Sequence, residues 1–309
     1  MKKMINATHL AGPVYQHTLE LKESGANSKT PGTKYITGKL EVVTDDAGIN
    51  VVPVHFTYVT ATYGTSGKTN DTYNVLMNFI NGVYKTVMKD GADAATKVRI
   101  DSAIGLNEFY DRNDEFVSVK RNDGGFVHVV ANIDEAENER STFKTDMLIT
   151  NVRRVEADDE KNTPEKVIIK GAIFNFRKDL LPVEYTVLNP VAMDYFEGLG
   201  ASNSNPILTE IRGRQISETV TRTVTEESAF GEASVREIKS SRKDFVVTWA
   251  RRETYEFDTE ETITAAELKE AMANRETTLA TIKTRNDEYK ASKNQPSAAA
   301  APAAGGFNF

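Results

Sequence analysis

Short β-branched runs, turn residues set between them, and an order of elements that occurs twice predict a mainly β chain. The expected architecture is two related five-stranded barrels in tandem, with short helices, a C-terminal α-helix and a disordered tail. The 309 residues suffice for two domains of ordinary size. Hydrophobic residues make up 39% of them and charged residues 27%, so most of the chain can fold around a core.

Residues 1–33 are irregular and rich in Gly, Ser, Thr and Lys, and SGANSKTPGTK reads as part of a flexible N-terminal arm. The first barrel is expected over 34–133. YITGKLEVV and INVVPVHFTYVTATY are split by Asp-Asp-Ala-Gly, a hairpin signal. NDTYNVLMNFINGVYKTVM places Val75, Leu76, Phe79, Ile80 and Val83 at helical spacing. KVRIDSAIG and EFVSVKRNDGGFVHVV return to strand character, with Asn-Asp-Gly-Gly read as a turn.

The second barrel is expected over 142–258. FKTDMLITNVRRVEA, KVIIKGAIFNF and LPVEYTVLN read as strands, with an acidic turn at 156–165. NPVAMDYFEGLG is a short helix, and ILTEIRGRQISETV and DFVVTWARRETYEF complete the block. Residues 216–243 read as a long hairpin arm, polar on both faces. Each block runs through its strands with a short helix between the third and fourth, which is the OB-fold order. One large β-sandwich and two unrelated β-domains are the alternatives. Thr264 and Glu267 form a capping box ahead of a helix over 264–291, with Leu268, Met272, Leu279, Ile282 and Tyr289 at near-heptad intervals. Residues 292–309 are low-complexity and should be disordered. They end in Phe307 and Phe309, which suit a short peptide docking into a partner protein.

Composition narrows the chemistry. The absence of cysteine excludes a disulfide scaffold, a thiol nucleophile and cysteine-ligated metal, and it fits a reducing compartment such as the cytoplasm. No secretory signal or membrane-length apolar run is seen, so no membrane partner is expected. The four histidines, His9, His17, His55 and His128, show no metal-ligand spacing. GTSGKT at 64–69 has Thr62 where a P-loop needs its first glycine, and it reads as a loop between strands. The acidic residues cluster in turns. The expectation is a non-enzymatic protein with no cofactor and no metal; a metal-dependent nuclease would need a clustered carboxylate site.

Binding of single strands without sequence preference needs cations along the backbone and flat side chains for the bases, each stack contributing roughly 1–3 kcal/mol. The net charge of −7 does not exclude a local cationic channel. Candidate DNA-binding residues in the second block are Arg153, Arg154, Lys170, Phe174, Phe176, Arg177, Lys178, Arg212, Arg214, Trp249 and Arg251, with Lys170, Phe174 and Phe176 alternating onto one strand face. In the first block they are Tyr58, Tyr63, Lys68, Lys120 and Arg121. Any single aromatic among them is as readily a core residue.

FKTDMLITNVRRVE, KVIIKGAIFNF, PVEYTVLN, MDYFEGLG and the terminal helix with its tail make residues 34–290 resemble the single-stranded DNA-binding proteins encoded by tailed phages. The resemblance lies in layout and contains no diagnostic motif. It implies OB-folds, coating of single-stranded DNA during replication and recombination, a homo-oligomer or cooperative array, and recruitment of replication or recombination partners. The tail looks like the bacterial single-strand-binding tail in its hydrophobic tip, but it departs from it in having no Asp or Glu after Glu288. The alternative function is a β-rich structural or virion-associated protein with no nucleic-acid role.

Overall fold

Alternation of inward apolar and outward polar residues sets the strands, and their pairing closes two barrels. The computed structural model describes residues 4–158, 163–226, 234–257, 259 and 262–294. In the first half are β1 (Asn6–His17), β2 (Glu20–Glu23), β3 (Lys34–Val43), β4 (Val51–Thr60), a small ladder of β5 (Thr62–Tyr63) and β6 (Lys68–Thr69), α1 (Asp71–Ile80), α2 (Val87–Asp90), β7 (Lys97–Tyr110) and β8 (Phe116–Val130). In the second are β9 (Ser141–Val155), β10 (Lys166–Phe174), β11 (Leu180–Val187), α3 (Pro190–Gly198), β12 (Ile207–Glu226) and β13 (Ser234–Ala250), followed by α4 (Ala265–Asn294).

The pairings close the ring β1–β3–β4–β8–β7–β1, with β4–β8 parallel. They close β9–β10–β11–β13–β12–β9 in the same way, with β11–β13 parallel. Each ring is an OB-type barrel, with α1 or α3 between its third and fourth strands. Leu76 and Phe79 of α1 plug the first core of Leu10, Ile36, Leu40, Val54, Phe56 and Ile100. Met193 and Phe196 of α3 plug the second, around Phe143, Ile169, Tyr185 and Ile211. Each such side chain contributes roughly 1.5–3 kcal/mol by leaving water. The Asn189 side chain accepts from the Ala192 amide at 3.1 Å and caps α3, which opens on Pro190.

The first strand of each barrel is shared. One edge of β1 pairs with β7; its other edge pairs with β9 over Asn6–Leu10 and with β3 from Val14. β9 repeats this, pairing with β12 on one edge and with β1, then β10, on the other. The close turns need glycine. A Cβ on Gly12 would lie 1.7 Å from the Val43 carbonyl oxygen, and one on Gly171 1.9 Å from that of Leu148.

Four expectations are corrected. Within the expected arm of 1–33, residues 6–23 are ordered sheet: β1 supplies Leu10, Ala11 and Val14 to the core, and β2 extends the sheet. Its Ala-Gly-Pro centre lacks a β signature because crowding, not propensity, selects those residues. Asn122–Gly125 is not a turn. It lies within β8, where Gly124 and Gly125 take φ of 67° and 123° and form a bulge opposite Ser102; the chain reverses at 111–115. The first barrel therefore spans 6–130, not 34–133. Phe174 is a core residue, as described below. The capping box at Thr264 and Glu267 forms, with reciprocal bonds of 3.1 and 3.2 Å, and α4 runs three residues past 291. Its packed stripe is mixed: Leu268 and Ala271 join the Phe174 cluster, Met272 and Tyr289 of the expected stripe are exposed, and Arg275 binds Glu108 and Lys290 binds Asp114, both at 2.5 Å, tying α4 to the β7–β8 hairpin. Phe307 and Phe309 lie outside the described residues.

At the joint between barrels, Gln215 is buried and fully engaged. Its Oε1 accepts from Asn122 Nδ2 at 2.7 Å and its Nε2 donates to the Thr142 carbonyl at 3.2 Å. Its own carbonyl accepts from Ser141 at 3.0 Å and from Asn50 at 3.1 Å. Gln215→Leu keeps the volume but strips Asn122 and Thr142 of their partner. Urea unfolding should show a loss of roughly 1–3 kcal/mol, the cost of unpaired buried polar groups.

Candidate nucleic-acid interface

Each barrel extends its last hairpin onto the other. The β7–β8 hairpin carries Lys120 to the second barrel, where its Nζ donates to the Glu184 carbonyl and lies 5.2 and 4.8 Å from the ring centres of Tyr185 and Phe245. The β12–β13 hairpin leans on the first barrel, where Ser217 N donates to Asn50 Oδ1 at 2.6 Å and Glu218 bridges to Asn50. A groove runs between the two hairpins. Its centre, of about 330 Å³, is lined by Pro53, His55, Phe109, Lys120, Arg121 and Lys243, among others, with Phe245 at its wall. At one end it continues past Lys39, Thr37 and Thr57. At the other, Lys120 leads it on to Lys170.

The groove is cationic with aromatic walls. Lys39, Lys120, Arg121, Lys170 and Lys243 face Glu41, Glu184 and Asp244. Lys39 is held by Glu41, Arg121 by Asp123 at 3.0 Å and Lys170 by Glu184 at 2.6 Å. Lys243 is exposed at the rim. Phe109 is 41% exposed, and Phe245 stacks on buried Tyr185 at 6.0 Å. Burial pushes the Lys120 ammonium down to about 8 despite Asp244 and Glu184 nearby. Burial, then the Arg121 charge, lowers the His55 pKa. Flat rings beside fixed cations can receive unpaired bases and phosphates respectively.

The YorF family profile matches residues 5–293, which takes in both barrels and nearly all of α4. The chain belongs to the YorF family. No curated protein matches it. Among solved structures it is similar to a deletion mutant of the single-stranded DNA binding protein from Thermus aquaticus, at 11% identity and a TM-score of 0.49, over 84% of this chain and 100% of that one.

In this YorF member the groove gathers Lys120, Arg121 and Lys170 from the residues expected to meet DNA. The rest lie elsewhere. Phe174 shares the β10 face of Lys170, since the extra residue at the Lys170–Gly171 shift is Thr150 of β9, but it is 1% exposed because it packs there with Met4, Leu148, Tyr255 and Ile263 beneath the start of α4. Phe176 falls beyond the strand, 82% exposed in the turn, with the Arg177 guanidinium 5.1 Å from its ring. Lys178, at φ 68°, completes that turn. Arg154 is bound by Glu197 at 2.6 Å, Glu165 at 2.8 Å and Asp194 at 3.0 Å, carboxylates that raise its pKa and strap β9 to α3, while Arg153 is exposed. Tyr58 stacks on Tyr35 at 4.5 Å and bonds Ser24 and Thr30. Tyr63 and Lys68 pair across the β5–β6 ladder, exposed. Arg212 covers Trp249 at 4.3 Å, Arg214 is exposed beside it on β12, and Arg251 covers Tyr255 at 4.5 Å.

Lys39, His55, Phe245 and Gln215 join the groove without a sequence signal, because long-range pairing alone brings them together. Lys120 offers a direct check. Unfolded, a lysine holds its proton to about 10.4. Folded, Lys120 releases it near 8. Between those values the unfolded chain binds more protons, so stability should rise with pH over about 8 to 10.4. Lys120→Met should flatten that rise in unfolding curves taken across the window; an unchanged slope would contradict the buried ammonium.

Proposed function

We propose that this protein binds and protects single-stranded DNA without sequence specificity, using the inter-barrel groove, and that it does so without catalysis. One observation carries the reading: Lys39, Arg121, Lys120, Lys243 and Lys170 follow one continuous groove with Phe109 and Phe245 in its wall. Phosphates displace counterions at the cations, and unpaired bases stack on the rings. A duplex has no free base faces to offer, so the aromatic walls favour single strands.

In this reading the protein acts in the cytoplasm during replication or recombination of phage DNA, a role supported by the phage-protein texture of FKTDMLITNVRRVE and KVIIKGAIFNF. Coating of long strands would use several copies in a cooperative array. Phe307 and Phe309 would recruit a replication or recombination partner.

Fluorescence titration with oligo-dT at two salt concentrations tests the proposal. Binding should weaken as salt rises. Lys243→Ala should lower the slope of log affinity against log salt by about 0.7, one phosphate contact on a single strand. Phe109→Ala should cost about 1–3 kcal/mol, one stacked base. Absence of binding at low salt sinks the reading.

A further inference from the structure

Residues paired across a ladder point to the same side of a sheet, so the strand registers define one outer face common to both barrels. One row on it runs Trp249, Arg212, Lys144, Ala7 across β13, β12, β9 and β1. The next runs Arg214, Thr142, His9, Asp101, Phe126 across β12, β9, β1, β7 and β8. The residues between them, Gly213, Phe143 and Thr8, turn the other way and are buried. At strand spacings of about 4.8 Å, six strands spread this face over roughly 24 Å. It shares no residue with the groove lining.

The face has rings at both ends and cations between. Trp249 is 44% exposed under the Arg212 guanidinium. Glu210, nearly buried, accepts from Arg212 at 2.7 Å and lies 3.2 Å from Lys144, holding both heads upright. With exposed Arg214, three cations stand over one carboxylate. In the middle, His9 pairs with Asp101 at 2.7 Å. At the far end Phe126 and Phe176, 58% and 82% exposed, flank a cleft of about 570 Å³ together with Ala7 and Asp101. Large exposed rings in such an arrangement signal a binding face.

We propose that this face is a second single-strand-binding surface. Bases stack at Trp249 and at Phe126 and Phe176, while phosphates pass over Lys144, Arg212 and Arg214. A strand longer than the groove holds thus continues around the joined barrels. The inference rests on the reading that the groove binds single strands.

Trp249 is the sole tryptophan, so its emission reports on this face alone. End-labelled oligo-dT of ~8 and ~30 nucleotides, bracketing the usual site size of an OB barrel, is titrated with the full chain. Anisotropy follows total binding and tryptophan emission follows the face. The long oligomer should quench emission at saturation. In the Lys144→Ala, Arg212→Ala, Arg214→Ala triple variant, affinity for the long oligomer should fall by tenfold or more, with the salt slope lower by about 2, and affinity for the short one should stay within about twofold. If the long oligomer binds the unmodified protein and leaves Trp249 emission unchanged at saturation, the second surface is overturned and the groove stands. If neither oligomer binds, the groove reading falls with it.

Discussion

β1 and β9 each belong to both barrels. A strand in a closed ring has two edges and its own ring occupies both, so a further partner requires one edge to be divided. β1 divides its edge near Gly12, where no side chain fits against the Val43 carbonyl, giving Asn6–Leu10 to β9 and Val14–His17 to β3. β9 divides near Met147 in the same manner. Because the two strands occupy the same place in their respective rings and run antiparallel, the barrels are joined through equivalent parts. Each fourth and fifth strand then points its hairpin at the other barrel.

The groove and the outer face both follow from that joint. The crossing hairpins leave an open slot between the barrels, with Phe109 and Lys243 exposed along it. Side-chain amides brace it: Asn50 donates to the Gln215 carbonyl, Asn122 donates to Gln215 Oε1 and to the Pro53 carbonyl, and Gln215 Nε2 donates to the Thr142 carbonyl. Lys120 enters the slot with its ammonium over the Phe245 ring and its charge partly desolvated. On the outer side the same pairing sets Lys144 beside Arg212 and His9 beside Asp101. Loss of registry between β1 and β9 would disperse both surfaces.

The sequence carried the local features well. The order of strands and helices, the Thr264–Glu267 capping box and the apolar plugs of α1 and α3 are short-range signals, and each is present. Features set by distant partners were not legible. β1 reads as a loop because Ala11, Gly12 and Pro13 answer to the Val43 and Arg140 backbone, not to strand propensity. Lys170 and Phe174 alternate onto one face of β10 as local pattern suggests, yet Phe174 is buried there by Met4, Leu148, Tyr255 and Ile263, partners that no local pattern reveals. Asn122–Gly125 has turn composition, yet it serves a bulge that places Asn122 against Gln215. Lys120 and Arg121 were legible as cations beside β-rich sequence; that they meet Phe245 and Lys243, more than a hundred residues away, was not.

The central claim is that the slot between the crossed hairpins holds the strand. Ultraviolet cross-linking of the full chain to oligo-dT, with adducts located by peptide mass spectrometry, tests it most directly. The account predicts adducts on the peptides containing Phe109 and Phe245, lost when a competing unlabelled oligomer is added. Efficient cross-linking that leaves both peptides unmodified would contradict it.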